Sequence, residues 1–212
     1  MSILQSFIQP ILHIDQNLIW FMNTYGAWVY GLLFLIIFSE TGLVILPFLP
    51  GDSLLFTVGT VAANTDTNDF NIHILFFLLL AASITGNIVN YLIGRFIGQA
   101  LVDCNIRWLF NKNHLAKTHD YYERHGGKTL ILARFIPVIR SFAPFVAGMG
   151  QMGFKQFSIY NVIGALLWVG ILIYTGYWFG NLPFIQHHFS TVILGIIIVS
   201  LLPLLLTLRR RK

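Results

Sequence analysis

Charged residues are what this sequence has least of. Lys, Arg, Asp and Glu make up 10% of its 212 residues, whereas an ordinary soluble domain carries roughly 25%. Hydrophobic residues make up 56%, and the mean hydropathy is +0.73. So few charges cannot cover a folded surface in water, which argues against a soluble enzyme, a disordered protein and a coiled coil. The composition predicts an all-α integral membrane protein that forms one domain over residues 1–212.

Cysteine is also scarce. Cys104 is the single cysteine of the sequence, which excludes an internal disulfide and a C-x-x-C redox or zinc pair. His114, His119 and His125 are spaced five and six residues apart, whereas the histidines of helical metal motifs lie four apart. We therefore expect neither a metal nor a cofactor. The first 26 residues contain no Lys or Arg, so the charged region of a cleavable signal peptide is missing.

Long apolar runs are abundant, and a membrane-spanning helix needs about 20 largely apolar residues. The sequence predicts about four such helices. They lie near residues 27–46, 72–99, 156–180 and 190–208. The apolar residues 1–24 are interrupted by Pro10, and we expect them to form an interfacial helix rather than a span.

Two further apolar segments, 47–63 and 129–152, contain residues that break helices. The breaks are Pro47, Pro50 and Gly51 in the first segment, and Pro137 and Pro144 in the second. Both segments are too apolar for solvated loops. Non-helical backbone at membrane depth is tolerated only where protein or a water-filled cavity covers it. The pattern therefore predicts two re-entrant hairpins.

Positive charge predicts the orientation of the chain. The net charge of +5, from 13 basic and 8 acidic residues, is concentrated in the loop 100–128 and in the C-terminal run Arg209 to Lys212. Positive loops stay in the cytoplasm, so we place the loop 100–128 and the C-terminus there. The acidic loop 64–71 then lies outside, and the N-terminus is cytoplasmic by counting spans. This clustering is a topology signal and does not indicate binding to nucleic acid.

The two hairpins belong to an internal repeat. Phe48-x-Pro50 recurs as Phe135-x-Pro137, and the small-residue motif that begins at Gly94 recurs at Gly176. Each hairpin precedes one of these motif-bearing spans, and the two units start on opposite sides of the membrane. That order is typical of the inverted repeats of secondary transporters. The alternative for the glycines alone is that they simply let helices approach closely.

Four charged residues fall at broken helices inside the bilayer, where each costs about 2.5–3.5 kcal/mol on insertion scales. They are the acids Glu40 and Asp52 and the bases Arg134 and Arg140. If both hairpin tips approach the midplane, these four side chains meet. Guanidinium groups bind phosphate, and burial disfavours the charged form of a carboxylate, so that it can carry a proton. The alternative is that they form static salt bridges that only fix the hairpins.

Polar residues inside the spans have milder predicted roles. Asn87 and Asn90 are expected to make hydrogen bonds between helices. Asn161 is a candidate for lining the substrate cavity.

Several longer motifs resemble the DedA family of bacterial inner-membrane proteins, over about residues 11–203. They are the stretches 38–42 (FSETG), 47–55 (PFLPGDSLL), 125–128 (HGGK), 133–137 (ARFIP), 140–149 (RSFAPFVAGM) and 160–168 (YNVIGALLW). The family is related to eukaryotic lipid scramblases that have the same hairpin-containing VTT domain. The resemblance implies a multi-pass protein of the bacterial inner membrane.

The resemblance also implies a function. Members of the family are implicated in carrying undecaprenyl phosphate, the carrier lipid of cell-wall synthesis, across the membrane, and others are described as proton-dependent transporters. The family's functional acids correspond to Glu40 and Asp52, and its functional arginines to Arg134 and Arg140. The implied partners are membrane lipids and protons, with no nucleic acid. The sequence leaves the oligomeric state open, a homodimer included.

Competing functions remain at this stage. A proton-coupled flippase for a lipid phosphate is the first, with Arg134, Arg140 and Asn161 binding substrate and Glu40 and Asp52 carrying protons. The others are a proton-dependent transporter of a small solute or ion, a non-selective scramblase, and a scaffold that aids membrane assembly. We expect no enzyme activity, because a lipid phosphatase needs a nucleophile with a base, and no such arrangement is visible in the spans.

Overall fold

The computed structural model describes residues 28–43, 51–64, 71–103 and 127–180, together with Leu182 and Gly195. Every regular element within the continuous ranges is a helix. The helices are α1 (Trp28–Gly42), α2 (Gly51–Asn64), α3 (Ile72–Asp103), α4 (Lys128–Ala133), α5 (Pro137–Met149) and α6 (Phe154–Phe179). The predicted interfacial helix 1–24, nearly all of the span 190–208, Pro47 and Pro50 lie outside the described residues.

Two of the helices are long and apolar enough to cross a bilayer. The apolar stretches are Ile72–Ile97 in α3 and Phe154–Phe179 in α6, each of 26 residues. At 1.5 Å per residue such a stretch extends about 39 Å, which exceeds a hydrocarbon core of about 30 Å. The two helices coincide with the predicted spans 72–99 and 156–180. Because α3 continues to Asp103, the loop predicted to begin at residue 100 begins no earlier than residue 104.

The other described helices are shorter. Helices α1, α2 and α5 contain 15, 14 and 13 residues, and α4 contains six. A helix of 14 residues extends about 21 Å, which is less than the thickness of the hydrocarbon core. Over the described residues none of these four helices is therefore long enough to cross a bilayer by itself, and the predicted span 27–46 is a helix only over Trp28–Gly42. Gly51, predicted as a break, is the first residue of α2.

Helices α4 and α5 are separated by a break of three residues. Ile136 has an extended backbone, with φ −116° and ψ 107°, as expected for a residue that precedes proline. Pro137 then occupies the first turn of α5, where its missing N–H leaves no hydrogen bond unmade. The chain therefore stops one helix and starts the next between Ala133 and Pro137.

Pro144 does not interrupt helix α5, although the sequence pattern predicts a break at this residue. Helix α5 continues through it to Met149. Proline removes the N–H that would bond to the carbonyl of the residue four positions earlier. In membrane helices this loss is tolerated, because neighbouring helices and side chains can satisfy the backbone groups that it frees. The proline pattern alone cannot distinguish a tolerated proline from one that ends a helix.

The chain divides into two compact units. Unit 1 comprises Met1–Ile36, Pro50–Leu79 and Val169–Lys212, and unit 2 comprises Ile37–Leu49 and Leu80–Trp168. In unit 1, α2 packs closely against the C-terminal part of α6. A Cβ atom added at Gly59 would overlap the carbonyl oxygen of Ile173, and one added at Gly176 would overlap the carbonyl oxygen of Phe56. Backbone touches backbone in both directions, and only glycine fits.

Unit 2 contains a contact of the same kind between α3 and α5. A Cβ atom at Gly94 would overlap the carbonyl oxygen of Phe145, and one at Gly148 would overlap that of Tyr91. Beside this contact, the ring of Tyr91 stacks on Phe157 with ring centroids 4.3 Å apart. These contacts place α3, α5 and α6 around one hydrophobic core. Its buried members are Tyr91, Leu130, Ala133, Ala143, Ala147, Met152 and Phe157.

Candidate functional site

The break between α4 and α5 positions two buried arginines in unit 2. Arg134 caps the C-terminal end of α4, and Arg140 lies in the first turn of α5. Their exposed fractions are 4% and 3%. A charged side chain is rarely buried to this extent unless it has a partner. The partners of the two arginines are therefore the first question about the site, and they differ.

Arg140 forms a salt bridge with Glu40. Its Nη2 donates to Oε1 of the carboxylate, and Glu40 is completely buried in the last turn of α1. The guanidinium carbon of Arg140 also lies 4.5 Å from the centroid of the Trp168 ring, within the range of a cation–π interaction. Two helices, α1 and α6, thus hold this arginine through a charge and an aromatic face.

Arg134 is held by uncharged groups. Its Nη1 donates to Ser83 Oγ at 2.9 Å, and its Nη2 donates to the backbone carbonyl of Asn161 at 3.2 Å and to Asn161 Oδ1. Ser83 lies on α3 and Asn161 on α6. Within the described part of the chain, Arg134 has no carboxylate among its hydrogen-bond partners. Among the described residues, its positive charge is solvated by the dipoles of Ser83 and Asn161.

Asn87 supplies one more dipole to the same guanidinium. The oxygen and nitrogen of an amide are assigned from their partners. With its oxygen towards Arg134, Asn87 accepts from the guanidinium, and its nitrogen donates to the carbonyl of Thr41 at 3.2 Å. The opposite orientation gives a bond to Asn161 at 3.0 Å but places two donors against each other. The first orientation in turn places the Asn87 oxygen 3.0 Å from Asn161 Oδ1, and either one confirms that Asn87 bonds between helices.

A glycine on α6 makes room for Arg134. A Cβ atom added at Gly164 would lie 2.8 Å from Cδ and 2.9 Å from Nε of Arg134. Real Cβ atoms do not approach other heavy atoms so closely. The side chain of Arg134 therefore crosses α6 at the one position in that turn where the helix surface is bare.

The two arginines line a common cavity. Its wall consists of Asn87, Leu130, Arg134, Arg140, Ala143, Pro144, Phe157 and Asn161. The space for the centre of a water molecule is about 10 Å³, which is enough for about one water. Two guanidiniums and two amides thus surround a small polar space inside an otherwise apolar unit.

The charges of this cluster are unequal. Among the described residues of unit 2, the buried charges are one negative charge on Glu40 and one positive charge each on Arg134 and Arg140, which gives a formal sum of +1 for these three side chains. An anion that entered the cavity would find guanidinium donors from both arginines. No group of three or more His, Cys, Asp or Glu side chains suited to a metal occurs in the residues that the structure covers. The charged groups that line the cavity are the two guanidiniums.

The structure brings together four of the five residues predicted to bind substrate or carry protons. Glu40, Arg134, Arg140 and Asn161 all belong to unit 2 and touch one another or the same cavity. The fifth, Asp52, lies in the first turn of α2 in unit 1. A carboxylate there interacts favourably with the positive end of the helix dipole.

The sequence pattern assigns no role to Gly164 or to Ser83. Ser83 is a buried acceptor for Arg134, and Gly164 provides the space that this arginine occupies. Serine and glycine are common wherever membrane helices pack closely, so neither gives a distinctive signal. The spacing of Asn161 and Gly164, one turn apart on the same helix, is the one hint available from the sequence.

Burial in the described residues differs from that of a water-soluble protein in two ways. Charges and amides are buried beside the hydrophobic core, namely Glu40, Arg134, Arg140, Asn87, Asn90 and Asn161. Large apolar side chains are exposed along the two long helices. Examples are Ile74, Phe77 and Phe96 on α3 and Ile163, Leu167, Ile171 and Trp178 on α6. Long helices with exposed apolar side chains, together with buried charges, suit lipid and not water. The fold and site thus define a helical integral membrane protein.

Comparison with known proteins identifies the family. The VTT domain matches residues 49–178. The chain is 52% identical to Protein DedA of Escherichia coli K12 over 212 residues, which is 100% of this chain and 96% of the relative. This chain therefore belongs to the DedA family of VTT-domain membrane proteins, as its motifs indicate.

More distant relatives agree. An uncharacterised membrane protein of Mycobacterium leprae is 40% identical over 171 residues, covering 81% of this chain and 75% of the relative. The inner membrane protein YqjA of E. coli K12 is 34% identical over 157 residues, covering 73% and 69%. No solved structure matches the chain. The names of these relatives support a membrane location.

Proposed function

We propose that this protein is a transporter that moves a lipid phosphate, such as undecaprenyl phosphate, across the bacterial inner membrane and couples that movement to protons. The observation that carries this proposal is the environment of Arg134. A buried guanidinium with uncharged partners faces a cavity that a second arginine shares. Substrate binding is assigned to Arg134, Arg140 and Asn161.

Phosphate suits the donors at this cavity. Guanidinium groups bind phosphate through paired, charge-assisted hydrogen bonds, which are roughly twice as strong as neutral ones. The bonds that Arg134 makes to Ser83 and Asn161 have neutral acceptors. A phosphate oxygen that replaced such an acceptor would add the attraction between opposite charges. Exchange of partners at Arg134 is thus favourable for an anion.

Glu40 supplies the proposed coupling to protons. Its carboxylate is the charged partner of Arg140. When Glu40 takes up a proton, its attraction for Arg140 weakens, and the guanidinium becomes available to phosphate. Conversely, a phosphate that binds Arg140 favours protonation of Glu40, since binding equilibria are reciprocal. Asp52, in the first turn of α2, is the second proposed proton carrier.

Transport requires the cavity to change. A phosphate group is larger than the single water that the cavity has room for, so we propose that the cavity widens to admit it. Close in sequence to the arginines, α4, α5 and the break between them carry apolar side chains that are exposed, namely Leu132, Phe135, Ile139 and Phe142. They offer a surface along which a prenyl chain remains in lipid while its head group enters.

The proposed architecture is an inverted repeat with two re-entrant hairpins, 47–63 and 129–152. Its support is the glycine contact that occurs in both units. Phe56 and Gly59 in unit 1 have the same spacing as Phe145 and Gly148 in unit 2. Their partners, Ile173 with Gly176 and Tyr91 with Gly94, also share one spacing. In this proposal the loop 100–128 and the C-terminus are cytoplasmic.

Reconstitution tests the proposal. Labelled undecaprenyl phosphate and labelled phosphatidylglycerol are incorporated into proteoliposomes, with and without a pH gradient, and the rate at which each changes leaflet is measured. We expect the first lipid to move faster, to respond to the gradient, and to slow in Arg134→Ala and Arg140→Ala variants that insert and fold. Equal rates for both lipids would indicate a non-selective scramblase. Normal rates in both folded variants would overturn the proposal.

A second candidate is a proton-dependent transporter of a small anion. The observation that favours it is the size of the cavity, which admits about one water molecule. In this case a small anion accumulates inside the liposomes under a pH gradient, and Glu40→Gln removes the dependence on pH. Neither candidate requires a catalytic step, and we propose that the protein is not an enzyme.

A further inference from the structure

Asn90 bridges the two helices that carry the ion pair. It is completely buried on α3, and its Nδ2 donates to the carbonyl oxygen of Thr41 at 3.0 Å and to that of Ser141 at 2.8 Å. Thr41 directly follows Glu40, and Ser141 directly follows Arg140. One amide nitrogen thus holds the backbone next to both members of the pair.

Asn90 donates to the backbone beside two gaps in helical hydrogen bonding. Thr41 belongs to the last turn of α1, which ends at Gly42, and the last four carbonyls of a helix have no partner within it. On α5, Pro144 has no N–H to donate to the carbonyl of Arg140, four residues earlier, and Ser141 is the residue next to Arg140. Asn90 therefore donates to an end carbonyl of α1 and to the carbonyl that adjoins the gap left by Pro144.

We propose that Asn90 is a positioning residue for the Glu40–Arg140 ion pair, so that the pair forms or separates according to how α1 and α5 are held on α3. This inference rests on the proposed function, in which the pair gates access to phosphate. The positioning role itself follows from the geometry, because the same nitrogen bonds to the backbone beside each member of the pair. Asn90 itself touches neither charged side chain through these bonds and acts through the backbone.

Only a side chain with two N–H donors on one atom fits this role. A primary amide provides both donors, whereas a hydroxyl provides one and an ionised carboxylate provides none. Asn90→Ser therefore keeps one bond at most, and Asn90→Leu, whose side chain has the same number of heavy atoms and the same branching, keeps none. The matched control is Thr60→Val in unit 1, because Thr60 Oγ1 also donates across helices, to the carbonyl of Gly176 at 3.2 Å.

The test follows the ion pair itself as well as transport. Full-length variants in lipid nanodiscs are titrated while difference infrared spectra record the carboxyl group of Glu40, assigned with Glu40→Gln. The buried charged side chains in the described part of unit 2 are Glu40, Arg134 and Arg140, so Arg134→Met is titrated in parallel. Melting temperatures and transport rates at each pH are measured on the same samples.

We expect Asn90→Leu to move the midpoint of the Glu40 titration by about 0.5–1 pH unit, which corresponds to the worth of one ordinary hydrogen bond. Asn90→Ser should move it less, and Thr60→Val should leave it in place. The pH profile of transport should shift with the midpoint, and Asn90→Leu should add no further shift of that profile in a Glu40→Gln background. A lower melting temperature with an unchanged midpoint in both Asn90 variants would overturn the inference. If the wild type moves no lipid, the proposed function fails, while the infrared titration still decides the role of Asn90.

Discussion

Arg140 and Glu40 lie 100 residues apart in the chain and form a buried salt bridge. Arg134, six residues from Arg140, has only uncharged partners among the described residues. The two arginines share a cavity, but one has a carboxylate in contact and the other does not. In the proposed function this difference gives them separate roles: Arg134 attracts the anion, and the availability of Arg140 depends on whether Glu40 is protonated.

Removal of one partner of the ion pair should be strongly destabilising. Glu40→Leu leaves the buried guanidinium of Arg140 without its carboxylate, and such a loss costs about 3–5 kcal/mol. The double variant Glu40→Leu/Arg140→Met removes both charges and should cost clearly less than the sum of the two single variants. The free energy of unfolding of the two single variants and of the double variant is measured by titration with a denaturing detergent. The control is Arg95→Met, since Arg95 is an exposed arginine of the same unit. If the loss of stability in the double variant equalled the sum of the losses in the two single variants, the two residues would not be energetically coupled.

Arg134 should matter more for binding than for stability. Arg134→Met relieves the cost of burying a charge but leaves Ser83 Oγ and Asn161 Oδ1 without their donor, so we expect a net change of within about 2 kcal/mol. Loss of a charge-assisted contact should weaken binding of labelled undecaprenyl phosphate by about 10- to 100-fold. Equilibrium binding and unfolding are measured on the same nanodisc preparation. Arg134→Lys keeps the charge, and its affinity for the labelled lipid should lie between those of the wild type and of Arg134→Met. If the free energies of binding and of unfolding fell by equal amounts, the role of Arg134 would be purely structural.

The bare position at Gly164 should be essential for the placement of Arg134. A Cβ atom in Gly164→Ala meets Cδ and Nε of Arg134, and such overpacking costs about 1–3 kcal/mol. We expect phosphate-lipid binding to fall even where the variant folds, because the guanidinium is displaced. Gly170→Ala is a control on the same helix, since its Cβ atom would lie 3.6 Å from Phe76 Cε2, an ordinary contact. Equal effects of the two substitutions on binding would contradict this account.

The glycine contact of each unit should respond alike to substitution. Gly94→Ala in unit 2 and Gly176→Ala in unit 1 both drive a methyl group into a backbone carbonyl. We expect each to lower the melting temperature, at a cost of about 1–3 kcal/mol or more. Gly31→Ala, where nothing lies within 4 Å of the new Cβ atom, should be neutral or slightly stabilising in the interior of a helix. A destabilised Gly94→Ala beside a tolerated Gly176→Ala would remove the support for a repeat.

The sequence was sufficient for the long helices and for the charges of the site. Runs of apolar residues directly reflect the thickness of a bilayer, which is why α3 and α6 begin close to the predicted positions. The cost of burying charge selects Glu40, Asp52, Arg134 and Arg140 from the sequence, and the structure brings Glu40, Arg134 and Arg140 together in unit 2. Both arguments depend on one residue or one segment at a time, and such arguments do not need a tertiary structure.

The contacts between helices could not be predicted in the same way. Which arginine pairs with Glu40 depends on the break at Pro137, which turns two residues six apart towards one cavity. Whether Pro144 ends α5 depends on donors from other helices, and so does the role of Asn90. The importance of the space at Gly164 depends on how Arg134 packs against α6, which neither residue indicates by itself. Each of these features involves helices distant in sequence.

The most direct test of the central claim is the movement of labelled undecaprenyl phosphate in proteoliposomes that contain either wild-type protein or Arg134→Met, both verified as folded. The account predicts that the wild type moves the lipid between leaflets and that the variant is slower by about tenfold or more, with its stability largely retained. A folded Arg134→Met protein that moved the lipid at the wild-type rate would contradict the claim that this buried guanidinium binds the phosphate.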